Sequence, residues 1–312
     1  MIEAHLFFYP GIGEILEQGN SLPVATLSPR QRVRLSYETA LNQHRTLQGL
    51  DRIAWVTWLI TLGTIAIWCF TAYQAAVMVG ARTPGDVLAN IVANAMSVQD
   101  KDSNALSTVL LTYGAKDNQL ILQGQYWRFI TPIFLHENAL HVGLNMLNFA
   151  ILGVMIERMV GHLRFLFLYL ITGILSSIAS FYFAPQAISI GASGAIFGLV
   201  GAYSAFVLVH RRAFPFFGIP ALLWLVLIIG INLSIGLFVA NVDNYAHVGG
   251  LVSGFLLGEL FMPLYTLSPE QTLVDTHRLA RRWPLALLTL GGTLGLAIIA
   301  VYATTALHIT GG

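Results

Sequence analysis

Seven apolar stretches punctuate the chain, separated by short polar turns and one long polar insertion. They run Ile53–Val79, Leu140–Met155, Phe165–Phe183, Ser193–Val209, Ile219–Val239, Ala246–Met262 and Pro284–Leu307. Crossing about 30 Å of hydrocarbon takes roughly 20 helical residues, so each reads as a membrane span. The second and fourth are short for this, and part of each is expected to face protein or a water-filled cavity. The predicted fold is an all-α polytopic membrane helical bundle. Two regions fall outside the pattern. Residues 1–51 are mostly polar, and Ser28-Pro29 reads as a helix start. Val33, Tyr37 and Leu41 then share one face, fitting either a helix lying on the headgroups or a short cytoplasmic helix touching nothing. The insertion from about 80 to 135 is too long for a connector and is expected to carry structure of its own.

Composition agrees and removes whole classes. Apolar residues make up 56% of the 312 and charged residues 10%, against roughly 25% charged in a soluble domain. So few charges cannot cover an aqueous surface. Lys plus Arg (16) nearly balances Asp plus Glu (15), which leaves no basic excess for nucleic acid. The single Cys69 rules out an intrachain disulfide or a cysteine metal cluster. The first residues lack a basic flank followed by an apolar core, so no cleavable signal is expected.

Basic residues set the expected orientation. Arg30, Arg32, Arg34, Arg45 and Arg52 precede the first span; Arg158 and Arg164, Arg211 and Arg212, and Arg278, Arg281 and Arg282 follow the second, fourth and sixth. The loops after the third and fifth spans hold no Lys or Arg. The long insertion mixes Arg82, Lys101, Lys116 and Arg128 with acids. The N-terminus is expected inside and the C-terminus outside, in a bacterial cytoplasmic membrane.

A polar side chain in hydrocarbon is costly and needs a reason. Four stand out: His141, Asn145, Ser193 and His247. Under that orientation all four lie near the outer ends of their spans. Taken singly, a serine in a membrane helix ordinarily bonds its own backbone, and a histidine at a span end ordinarily packs. Here Pro185 ends the third span and a short connector leads into Gly191, placing Ser193 at a helix N-terminus, where free N–H groups favour negative charge. Gly194, Gly198 and Ala202 form one small-residue stripe; Gly250, Gly254 and Gly258, after His247, form another. If the stripes meet, His247 reaches Ser193, giving a nucleophile with a general base beside it. His141 and Asn145, at i and i+4, share a face that Asn148 continues; they could donate to an oxyanion or simply hold the bundle together. Asp243 reads as a turn or cap residue, so the pattern is a Ser–His dyad rather than a triad.

These residues carry a resemblance. His136-x4-His141-x3-Asn145, the Gly191-x-Ser193-Gly194 turn and Ala246-His247-x2-Gly250-x3-Gly254 resemble three signatures of the rhomboid intramembrane serine proteases. Trp127-Arg128 resembles that family's Trp-Arg pair, and Glu157 with Gly161 resembles the end of its second span. The resemblance covers roughly residues 53–262. It implies a six-helix core at 52–264, with Ser193 as nucleophile, His247 as base, and His141 and Asn145 near the oxyanion. The linker and seventh span at 265–312 resemble a C-terminal addition to that core. Phe197 departs from the pattern, which often has tyrosine there; the ring beneath His247 is kept and a hydroxyl contact is lost.

The implied activity is endoproteolysis of single-span or multi-span membrane proteins in the bilayer through an acyl-enzyme, without cofactor or metal. A catalytically weak relative that binds or routes transmembrane clients is the alternative. A zinc site of the His-Glu-x-x-His kind is disfavoured, because His136 and His141 are five apart and point about 140° from each other on a helix. An aspartyl site would need two intramembrane Asp residues, and every Asp falls in a loop or tail. A transporter would show broken-helix ion sites or repeats, and neither is found. Oligomeric state is left open.

Overall fold

The computed structural model describes residues 53–93, 103–210, 242–267 and 273–310, together with Leu223, Leu227 and Ile229, which are helical. The remainder of the fifth expected span, the 1–51 segment with its basic residues, Arg211 and Arg212 lie outside the described residues. Residues 49–265 and 275–312 form one compact unit that holds all the helices discussed here. The other unit, 1–48 with 266–274, is described only around two short paired strands, β1 (Tyr265–Leu267) and β2 (Leu273–Asp275).

The helices are α1 (Trp55–Met78), α2 (Pro84–Ala93), α3 (Ser103–Thr112), α4 (Asn118–Leu122), α5 (Ala139–Val160), α6 (His162–Phe183), α7 (Ser193–His210), α8 (Asn244–Phe261) and α9 (Leu279–Thr310). Four of them, α1, α5, α6 and α9, are long and apolar enough to cross a membrane. Large apolar side chains stand exposed along α1 (Trp58, Leu59, Leu62) and α9 (Leu287, Leu294, Ile298). Only a lipid surround makes such surfaces favourable. The described parts of the long insertion carry α2, α3 and α4, followed by 3-10 turns at Tyr126–Phe129 and Thr131–Phe134.

Two helix boundaries depart from the hydropathy pattern. α5 runs on to Val160 and α6 begins at His162, so only Gly161, at φ +86°, separates them. Charged residues do not end α5 because Glu157 is consumed internally. Its carboxylate is fully buried and accepts from Val56 N (3.0 Å), Thr57 N (2.7 Å) and Thr57 Oγ1 (2.6 Å), with His162 Nδ1 at 2.5 Å. It thereby satisfies N–H groups that the first turn of α1 leaves free, and an unpartnered carboxylate could not stay there. Arg164, also buried, pairs with Asp275 at 3.0 Å and donates to His277 O at 2.8 Å. The second departure is α9, which starts at Leu279, five residues before Pro284. The proline removes one backbone bond near the helix start without breaking it, while hydropathy marks only where the apolar part begins.

The centre of the bundle is the pair α7 and α8, packed on each other and on α6. Their approach is backbone on backbone. A Cβ at Gly250 would fall 2.0 Å from Gly194 O, and one at Gly254 would fall 1.9 Å from Gly198 O. No side chain fits in either gap, so the two small-residue stripes do meet. Beneath them Leu199, Phe165, Leu168, Phe149 and Phe261 close an apolar core. Both helices have 18 residues, about 27 Å at 1.5 Å per residue. That is slightly less than the roughly 30 Å of hydrocarbon in a bilayer.

Gly254→Ala should lower the stability of the purified protein by about 2–3 kcal/mol, because the clash is with backbone that cannot rotate away. Thermal unfolding in detergent measures this, with Gly292→Ala on α9, where a Cβ meets nothing within 4 Å, as the unaffected control.

Candidate active site

Ser193 is the first residue of α7, and the approach to it is tightly specified. Ser189 pairs with Lys116 in an antiparallel bridge, N–H to O at 3.0 and 3.2 Å. Gly191 then turns at φ +113°, a conformation that L side chains rarely adopt. Its N–H donates to Pro132 O at 2.9 Å, and the Ala192 N–H donates to Nε2 of the buried His136 at 3.3 Å. Each N–H before the serine therefore has a fixed acceptor.

α8 delivers the second group. Asp243 caps it, Oδ1 accepting from Ala246 N at 3.0 Å and Oδ2 from the Ser180 hydroxyl on α6. One turn later His247 Nε2 lies 2.7 Å from Ser193 Oγ. The imidazole stacks on Phe197, ring centroids 4.6 Å apart and planes 15° from parallel. Its Nδ1 is buried with no hydrogen-bond partner among the described residues. Asp243 is spent on its helix and on Ser180, so among the described residues no acid stands behind the pair.

α5 closes the remaining side. Asn138 caps it by accepting from His141 N at 2.8 Å, which orients the first turn. A Cβ on Gly191 would fall 2.8 Å from His141 Nε2 and 3.7 Å from Asn145 Nδ2. Both side chains thus lean on the turn before Ser193. The rings of His136 and His141 meet edge to face at 5.0 Å. Asn148 does not join them, correcting the expected face: it is exposed and returns its amide to Leu144 O at 2.9 Å.

The remaining sequence candidates lie further off. Trp127 is exposed, whereas Arg128 is buried and donates from Nε to Gln125 Oε1 (2.8 Å) and from Nη1 to Ala115 O (2.7 Å). The pair thus belongs to the scaffold of the insertion. Gly194, Gly250 and Gly254 sit at the α7–α8 contact. Sequence reasoning missed Lys116, counting it only as a loop charge, and Ser180, hidden among the small residues of α6. Among the described residues, no group of three or more His, Cys, Asp or Glu is arranged to hold a metal.

A half-buried hydroxyl in contact with a buried imidazole, beside a helix N-terminus and two side-chain amide or imidazole groups, is an arrangement able to support nucleophilic chemistry within a membrane bundle. Comparison with known proteins narrows the class. Residues 123–264 match the Rhomboid domain family. The chain is 47% identical over 147 residues to the Rhomboid protease GluP of Bacillus subtilis (strain 168), covering 47% of this chain and 28% of that protein. It is 36% identical over 217 residues to the RHOMBOID-like protein 6, mitochondrial, of Arabidopsis thaliana, covering 67% of this chain and 69% of the relative. It is also 33% identical over 141 residues to the Putative rhomboid protease YdcA of Bacillus subtilis (strain 168), covering 45% of this chain and 69% of the relative. The chain belongs to the rhomboid family and is a multi-pass integral membrane protein.

A methyl group at Gly191 would both strain the turn and displace His141. Gly191→Ala should therefore cut the rate at which a fluorophosphonate labels Ser193 by more than about tenfold, with helical circular dichroism unchanged.

Proposed function

We propose that the protein is an intramembrane serine endopeptidase that cleaves transmembrane segments of client membrane proteins. The observation that carries this is the 2.7 Å contact between Ser193 Oγ and His247 Nε2 at the N-terminus of a membrane-embedded helix. For Nε2 to accept, the imidazole proton must sit on Nδ1, and the stacked Phe197 ring holds that orientation without an acid. As Ser193 Oγ attacks the client's carbonyl carbon, its proton passes to Nε2. The negative charge moves to the carbonyl oxygen, where the Ser193 N–H, His141 Nε2 and Asn145 Nδ2 are the available donors; the Ala192 N–H is already given to His136. Breaking the C–N bond sends the proton from Nε2 to the leaving amine and leaves an acyl-Ser193. Water, activated by His247 in turn, releases it.

Chemistry that consumes water explains why the polar groups stand at the ends of short helices rather than at mid-bilayer. The N-terminus inside and C-terminus outside, in a bacterial cytoplasmic membrane, puts this site toward the outer face. Residues 52–264 are the protease core, and 265–312 a linker with an added span. Rhomboid-like relatives that bind or route clients without cutting them are the second reading; its mark would be loss of the Ser or the His, and both are present.

Cleavage of a fluorescently labelled single-span substrate by the purified protein in liposomes tests the proposal. Ser193→Ala and His247→Ala should each lower the rate by at least about a thousandfold while leaving thermal stability within a few degrees. Either variant cutting at the wild-type rate contradicts the assignment.

A further inference from the structure

Lys116 is a charged residue with no solvent contact. Its side chain is fully buried, and its ammonium donates to three backbone carbonyls at the end of α6: Ser180 O (3.3 Å), Ala184 O (2.9 Å) and Ala187 O (2.9 Å). These belong to the last turn of a helix and the residues after it, where the dipole favours a cation; Ser180 O and Ala184 O also accept from Ala184 N and Ala187 N, and the ammonium fills their second lone pairs. A buried ammonium is costly, so this one is held by what it joins. Its own backbone bridges Ser189, four residues before Ser193. One of its acceptors is the carbonyl of Ser180, whose hydroxyl donates to Asp243, the cap of the helix carrying His247.

We propose that Lys116 is a positioning residue for the Ser193–His247 pair, fastening the strand that enters the serine to the same end of α6 that anchors the histidine helix. This rests on the proteolytic reading above. The nucleophile and the base come from different helices and stand 54 positions apart in the sequence. Apart from the glycine contact between α7 and α8, this is a chain of polar contacts that runs from one to the other. An ammonium supplies three N–H donors for the three carbonyls, whereas the neutral amine supplies two and no charge. Deprotonation therefore slackens the junction.

Burial pushes the Lys116 pKa down from its ordinary 10.5 to about 8, with Asp243 and Asp117 opposing the fall. Among the described residues those two carboxylates are the charges that act on it; the nearby Arg128 guanidinium is taken up by Ala115 O and Gln125. The end of α6 and residues 184–192 present only neutral groups. The sign for stability is opposite to that for activity. Between about 8 and 10.5 the unfolded chain binds the proton that the folded chain has lost, so this group makes folding more favourable as pH rises. Turnover should fall through the start of that window. A loss of activity caused by general unfolding would bring stability down with it.

The test is kcat and KM for a single-span substrate from pH 6.5 to 9.5, with thermal midpoints, for the wild type, Lys116→Met and Asp243→Asn. Wild-type kcat should fall about fivefold with a midpoint near 8, with KM steady and the midpoint temperature not reduced. Lys116→Met should have a low kcat at every pH and no alkaline fall. Asp243→Asn, which keeps a capping side chain but removes a carboxylate that favours the ammonium, should move the fall to lower pH. A flat wild-type profile overturns the inference, as does Lys116→Met with wild-type turnover, or a fall that Asp243→Asn leaves in place. If Lys116→Met does not fold, the wild-type and Asp243→Asn profiles decide by themselves. Ser193→Ala run alongside separates the two levels: activity surviving there removes the proteolytic reading, whereas its loss with an unaffected Lys116→Met removes only the role of Lys116.

Discussion

Everything at the site depends on how closely α7 and α8 approach. Gly194 and Gly198 present bare backbone to Gly250 and Gly254, and the gaps between them cannot hold one methyl group. In lipid there is no hydrophobic gain from pressing two apolar helices together, so close packing between small residues must supply the association. Because the contact is backbone to backbone, it sets the separation of the two helices without relying on side-chain rotamers. His247 stands one turn above the first glycine of its stripe, and Ser193 directly before the first glycine of the other. Once the stripes meet, the 2.7 Å contact between hydroxyl and imidazole follows.

The second constraint is that polar groups in a bundle must be satisfied internally. At one end Glu157 gathers the free N–H groups of α1, and Arg164 is matched by Asp275 and a carbonyl. At the site end Lys116 and Arg128 supply donors to carbonyls of irregular chain, and His136 accepts from the turn before Ser193. These groups convert a loop that would otherwise be expensive to bury into a fixed approach to the serine. Two buried ring nitrogens, His136 Nδ1 and His247 Nδ1, stay without a partner among the described residues, and the second bears on the chemistry. It sits on the residue whose protonation the proposed chemistry requires.

Much of this was legible because lipid imposes simple rules. Apolar runs gave the helices, and the glycine spacings at 194/198 and 250/254 gave the face on which two of them meet. The few polar residues within the runs gave the site. What hydropathy could not show is where a charge is neutralised by a distant partner. Hence the expected break in the chain near Glu157 shrinks to the single residue Gly161, and α9 begins before Pro284. Asn148 departs from the expectation for a different reason: it is exposed, and a carbonyl one turn back on its own helix satisfies its amide. Lys116 was invisible because its acceptors are backbone carbonyls some 64 to 71 residues away, and no sequence pattern marks a carbonyl.

The central claim is that Ser193 and His247 act on the same substrate atom pair from opposite helices. A peptidyl chloromethyl ketone tests it most directly, since its carbonyl carbon takes a serine oxygen while its methylene alkylates an adjacent imidazole. The Ser193 hemiketal reverts on unfolding, so mass spectrometry of the digested adduct should find the inhibitor on His247, and Ser193→Ala should slow that alkylation by at least about a hundredfold. Alkylation of another nucleophile such as Cys69, or no adduct on folded protein, would contradict the account.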